Sequence, residues 1–98
     1  MQKISAKNLY DKLQAEELRL IDVREVDEFT AGHISGVQNL PLSILAENYG
    51  QLDKQIPYHI ICQKGGRSAR ACEFLESKGY EVTNVEGGVE AFPDKLTI

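Results

Sequence analysis

Short apolar runs alternate with helix-patterned segments along this chain, and this alternation constrains its fold more than any other feature. Runs typical of short strands occupy residues 18–23, 37–39, 58–62 and 81–85. Helical patterns or helix-capping signals lie between them, at residues 5–15, 26–31, 68–78 and 89–92, with a partly helical stretch at 42–52. Strands that alternate with helices predict an α/β fold, in which a parallel sheet carries helices on its faces.

Size and composition set limits on what this fold can do. The 98 residues are expected to form one domain spanning 1–98, and a net charge of −4 argues against nucleic-acid binding. No apolar run reaches 18 residues, and the polar N-terminus lacks the apolar region of a signal peptide. The two cysteines form neither a disulfide framework nor a zinc motif. We therefore expect a cytoplasmic protein, with no membrane partner and no metal.

The candidate chemistry lies in a loop between a predicted strand and a predicted helix. Cys62 ends the apolar run at 58–62, and the loop continues through Gln63, Lys64, Gly65, Gly66 and Arg67 to Ser68. The glycines can adopt positive φ, so that successive N–H groups turn inward and hold an anion. A cysteine placed before a helix N-terminus is stabilised as a thiolate, which predicts a reactive sulfur.

The surrounding charge indicates an anionic substrate. No Asp or Glu occurs from Lys54 to Cys72, whereas Lys64 and Arg67 lie beside the candidate nucleophile. In a parallel sheet, residues 22–25, 62–67 and 86–88 would all follow strand ends and meet at one edge. Cys72 shares an apolar helical face with its neighbours, so we expect it in the core; the alternative is a resolving thiol.

Three segments together resemble a single-domain rhodanese, which is a sulfurtransferase. Residues 20–41 (LIDVREVDEFTAGHISGVQNLP), 62–68 (CQKGGRS) and 79–92 (GYEVTNVEGGVEAF) match the family's first signature, its active-site loop and its closing segment. The resemblance implies a rhodanese-like fold with about five strands and helices on both faces of the sheet.

The resemblance also implies the chemistry. Cys62 takes a sulfane sulfur from thiosulfate or a persulfide donor, carries it as a persulfide, and passes it to cyanide, a thiol or a protein acceptor, without a cofactor. The implied catalytic residue is Cys62; the implied substrate-binding residues are Gln63, Lys64, Gly65, Gly66 and Arg67; and the implied structural support comes from Asp22, Arg24, His33 and Ser68.

Two other functions stay open at this point. A non-catalytic interaction or sensing module would keep the fold, although retention of the cysteine and both loop cations speaks against it. A phosphatase or arsenate-reductase variant would also use a cysteine loop. In the related cell-cycle phosphatases, however, five residues separate the cysteine from the arginine, and here only four separate Cys62 from Arg67.

Overall fold

The computed structural model describes all 98 residues as a parallel sheet with helices packed against it. The strands are β1 (Gln2–Ser5), β2 (Leu20–Asp22), β3 (Gln38–Asn39), β4 (Tyr58–Ile61) and β5 (Val82–Glu86). The α-helices are α1 (Ala6–Ala15), α2 (Val26–Ala31), α3 (Leu42–Asn48) and α4 (Gly66–Ser77), and two 3₁₀ helices span Tyr49–Gln51 and Val89–Ala91.

The strand order places the candidate nucleophile at the middle of the sheet. The five strands lie in the order β1-β5-β4-β2-β3, and every neighbouring pair is parallel. Because β4 is the central strand, the residue after it is flanked by the carboxyl ends of β5 and β2. The crevice at this edge is where open α/β sheets bind their ligands.

Each face of the sheet has its own hydrophobic core, because neighbouring residues of a strand point to opposite faces. Ile21 and Ile60 pack on one face with α3 and α4, whereas Leu20 and Ile61 pack on the other with α1. Both faces of β2 and β4 are therefore covered, and every residue of these two strands is buried. The predicted architecture, a parallel five-stranded sheet covered on both faces, is confirmed.

Local signals predicted most of the elements. Ser5 caps α1 by accepting a hydrogen bond from the Asn8 N–H at 3.0 Å, and Gly32 ends α2 as expected. The sequence did not reveal β1, whose residues are mostly exposed and polar. α4 begins at Gly66 rather than Ser68, because Gly65 adopts φ +110 and turns the chain directly into the helix. No helix has the length and apolarity needed to cross a membrane.

Candidate active site

Cys62 lies immediately after β4, at the base of the loop that leads into α4. The residue is only 1% exposed, and it forms part of the core shared with Ala71 and Cys72 of α4. The loop residues Cys62, Gln63, Lys64, Gly66 and Arg67 line an open cavity of about 300 Å³. The sulfur therefore sits at the bottom of a small depression built from a single loop.

Hydrogen-bond donors surround the sulfur. The Gly65 N–H donates to Cys62 Sγ at 3.1 Å, and Ser68 Oγ lies 3.3 Å from the same sulfur. Burial, the largest single influence, opposes ionisation of the thiol. The Ser68 side chain and the N–H groups of Ser68, Gly65 and Lys64 together outweigh it, so the pKa of Cys62 lies below its usual value. The geometry thus favours a thiolate.

The segment after β5 fixes the base of the loop. The Val89 N–H donates to the Cys62 carbonyl at 2.9 Å, and the Glu90 N–H donates to the Gln63 carbonyl at 3.0 Å. Gly88 permits this approach: its φ is +62, and a Cβ there would lie 2.4 Å from both carbonyl oxygens. The strand ends that the sequence predicted to meet at one edge are therefore in direct contact.

A buried ion pair supports the loop from below. Arg24 donates through Nε and Nη2 to the Asp22 carboxylate at 2.9–3.1 Å, and both residues are almost fully buried. The same guanidinium donates to the Gly32 carbonyl at 2.7 Å and to Gln63 Oε1 at 3.3 Å. Arg24 thus links the end of β2, the end of α2 and the loop, as a brace would. Gln63 reaches this brace and also lines the cavity.

The two loop cations have different surroundings. Arg67 donates through Nη1 and Nη2 to the two carboxylate oxygens of Glu28 at 2.6 and 2.8 Å. This contact with Arg67 is the main reason why the pKa of Glu28 falls to about 2. Lys64 is exposed and takes part in none of the ion pairs. Of the two cations that the sequence placed at the substrate, only Lys64 is therefore unpaired.

The remaining residues of interest lie outside the cavity lining. His33 stacks on Phe29 with ring centroids 3.9 Å apart, and its Nδ1 lies 2.9 Å from the Phe29 carbonyl oxygen. Cys72 is fully buried, and this burial raises the pKa of its thiol to about 12. Core packing of Cys72 is thus as predicted. No group of three or more His, Cys, Asp or Glu side chains is arranged to hold a metal ion.

Two residues that shape this site are not among those predicted from the sequence. Glu28 lies within the segment 20–41 that resembles the family's first signature, and nothing in the sequence indicates that it pairs with a residue 39 positions away. Asn84 of β5 donates through Nδ2 to the Gly65 carbonyl at 3.3 Å, so it holds the loop from the neighbouring strand. The available signal for Asn84 was a polar residue between two valines, Val82 and Val85, that face the core.

Comparison with known proteins agrees with this fold and identifies the family. The family model of the rhodanese-like domain matches residues 5–95, and the chain belongs to this family. It is 39% identical to YtwF of Bacillus subtilis, which carries a provisional sulfurtransferase name, over 94% of this chain and 90% of that protein. It is 31% identical to the thiosulfate sulfurtransferase GlpE of Shewanella oneidensis, over 91% of this chain and 89% of that protein.

A solved structure shows the same fold. The crystal structure of a rhodanese-like domain protein from Staphylococcus aureus superposes with a TM-score of 0.93 at 34% identity. The match covers 100% of this chain and 98% of that one. The resemblance inferred from the three sequence segments is thereby confirmed. The relatives of this chain include sulfurtransferases.

Proposed function

We propose that this protein is a sulfurtransferase that carries sulfur as a persulfide on Cys62. The observation that carries the proposal is the set of donors around Sγ, since the Gly65 N–H and Ser68 favour an anionic sulfur at the bottom of an open cavity. Thiosulfate or a persulfide is the proposed donor, and cyanide, a small thiol or a protein thiol is the proposed acceptor. The cytoplasmic location expected from the sequence stays a prediction.

The proposed reaction has two displacements at sulfur. The Cys62 thiolate attacks the sulfane sulfur of thiosulfate; a bond forms between that sulfur and Sγ, and sulfite leaves with the electron pair of the old S–S bond. An acceptor nucleophile then attacks the outer sulfur of the persulfide, and the Cys62 thiolate leaves. With cyanide the product is thiocyanate. The loop N–H groups stabilise the anionic sulfur in both resting and loaded states.

The proposal is tested by loading the protein with thiosulfate and measuring its intact mass. Wild-type protein should gain one sulfur atom, and addition of cyanide should remove it as thiocyanate. Cys62→Ala should gain none. Cys72→Ala is the matched control and should load normally, because the thiol of Cys72 is buried in the core, away from the cavity.

Failure of wild-type protein to gain sulfur from thiosulfate or a persulfide would contradict the proposal. Iodoacetamide reactivity of Cys62 equal to that of a free peptide cysteine would then favour an interaction or sensing module. Hydrolysis of an aryl phosphate would instead favour the phosphatase variant.

A further inference from the structure

The cavity arginine is already occupied by a carboxylate of this chain. Both terminal nitrogens of Arg67 contact the two oxygens of Glu28, in the fork geometry with which arginine also binds sulfate-like and phosphate-like anions. An anionic donor that entered the cavity would have to share this guanidinium with Glu28 or displace the carboxylate.

Glu28 is held in place by more than Arg67. Its Oε1 also accepts a hydrogen bond from the Glu25 N–H at 3.1 Å, within a capping box at the start of α2. Glu25 is itself anchored, since the Ser43 hydroxyl donates to its Oε1 at 2.6 Å. The carboxylate is therefore fixed by local helix geometry, and the low pKa of Glu28, about 2, keeps it charged at neutral pH.

The charges around the cavity cancel as a result. When Cys62 is ionised for attack, Lys64 and Arg67 contribute two positive charges, and Glu28 and the thiolate contribute two negative charges, so their sum is zero. The other nearby cation, Arg24, is buried and paired with Asp22. The electrostatic attraction of a doubly charged donor to this site is therefore weaker than two unpaired loop cations would provide. The binding of a neutral or singly charged donor is affected less.

We propose that Glu28 sets the donor preference of the Cys62 loop: by holding Arg67, it disfavours dianionic donors such as thiosulfate relative to persulfides of small thiols. This inference rests on the proposed function and assigns Glu28 as a positioning residue that acts through Arg67. A persulfide of a neutral small thiol carries at most one negative charge, so it needs no second cation.

The first experiment compares two donors on three variants. The rate of sulfur loading onto Cys62 is measured by mass with thiosulfate and with the persulfide of 2-mercaptoethanol. In Glu28→Gln the thiosulfate-to-persulfide ratio should rise about tenfold, as expected when one of two adjacent charges is removed at a partly exposed site. Glu28→Asp keeps the charge and should keep the wild-type ratio. Asp27→Asn removes a neighbouring carboxylate that pairs with no arginine, and it should leave the ratio unchanged.

The second experiment measures the same electrostatics without sulfur transfer. Cys62 is alkylated with iodoacetate, an anion, and with iodoacetamide, its neutral analogue. The measured quotient is the rate with iodoacetate divided by the rate with iodoacetamide. Glu28→Gln should raise this quotient severalfold, whereas Asp27→Asn should not. A purely structural role of Glu28 would change both alkylation rates together and leave the quotient constant.

The outcomes separate this inference from the proposed function. Normal sulfur loading with an unchanged donor ratio in Glu28→Gln overturns the inference and leaves the proposed function standing. A fall in thiosulfate loading also overturns it, because Glu28 would then be orienting Arg67 toward the donor. Loading of wild-type protein from neither donor overturns the proposed function and this inference with it.

Discussion

At the scale of single residues, the Ser68 side chain is the largest of the influences that favour ionisation of Cys62. Its hydroxyl lies 3.3 Å from Sγ, and its N–H also favours the thiolate. While the thiol is protonated it donates to Ser68 Oγ, and this hydroxyl donates to the Gly65 carbonyl at 3.1 Å. Once the thiol ionises, the single hydroxyl proton turns to Sγ instead. Ser68 thus contacts the sulfur from the first turn of α4 without lining the cavity.

We predict that Ser68→Ala raises the pKa of Cys62 because a side-chain hydrogen bond to the sulfur is lost. The alkylation rate of Cys62 at neutral pH should fall about tenfold, the effect of removing one hydrogen bond to a charged group. The measurement is the pH profile of iodoacetamide alkylation, whose midpoint should move to higher pH. Ser77→Ala, at the exposed end of α4, is the control. An unmoved midpoint in Ser68→Ala would contradict the assigned role.

At the scale of elements, the loop is shaped by the segment after β5 as much as by its own sequence. Gly88 brings the N–H groups of Val89 and Glu90 onto the carbonyls of Cys62 and Gln63. The conformation of Gly88, with φ +62, is one that residues with a Cβ rarely adopt. The last 3₁₀ helix, Val89–Ala91, therefore acts as a clamp on the loop, by which we mean that its two N–H groups hold the carbonyls of Cys62 and Gln63 in place.

We predict that Gly88→Ala destabilises the fold by about 3 kcal/mol, because backbone strain adds to a clash with two carbonyl groups. Urea denaturation gives the free energy of unfolding, and sulfur loading by any folded fraction should also drop. Gly50→Ala is the matched control, since Gly50 has ordinary φ and open space around its Cα. Equal stability of the two variants would rule out the clamp.

The elements also show what sequence reasoning can and cannot reach. Helix caps and apolar runs are local signals, so α1, α2, β2 and β4 followed from the sequence. The edge strand β1 did not, because it pairs on one side only and its side chains are mostly exposed. Within the site, the Cys62 loop is contiguous and was predictable. The pairing of Glu28 with Arg67 depends on how α2 packs near the loop, and the order of the strands is equally absent from any local pattern.

At the scale of the whole molecule, the central strand carries a buried histidine. His59 of β4 lies in the sheet, is only 9% exposed, and its Nδ1 has no hydrogen-bond partner. Burial, followed by the charge of Lys12, lowers the pKa of His59 below its usual value of 6.5. The folded protein therefore holds this ring neutral where the unfolded chain would protonate it.

We predict that stability falls as the pH decreases below 6.5. Since the unfolded state then binds more protons than the folded state, the free energy of unfolding should decline by up to about 1.4 kcal/mol per pH unit. Urea denaturation between pH 7.5 and 5.5 measures this slope (the window spans the usual histidine pKa, about 6.5). His59→Leu should have a flatter profile in that range. The same slope in both proteins would show that another group is responsible.

The near-complete burial of Cys62 affects which sulfur atom an acceptor molecule can reach. In the proposed reaction, the sulfur atom added to Sγ would stand about 2 Å from it along the S–S bond, beside the cavity that Cys62 lines. The outer sulfur would then be accessible to an acceptor nucleophile, while Sγ of Cys62 stays buried. Without the added sulfur, Sγ of Cys62 would be almost inaccessible to solvent. With it, the outer sulfur would be the main accessible atom, and this is the atom to be transferred.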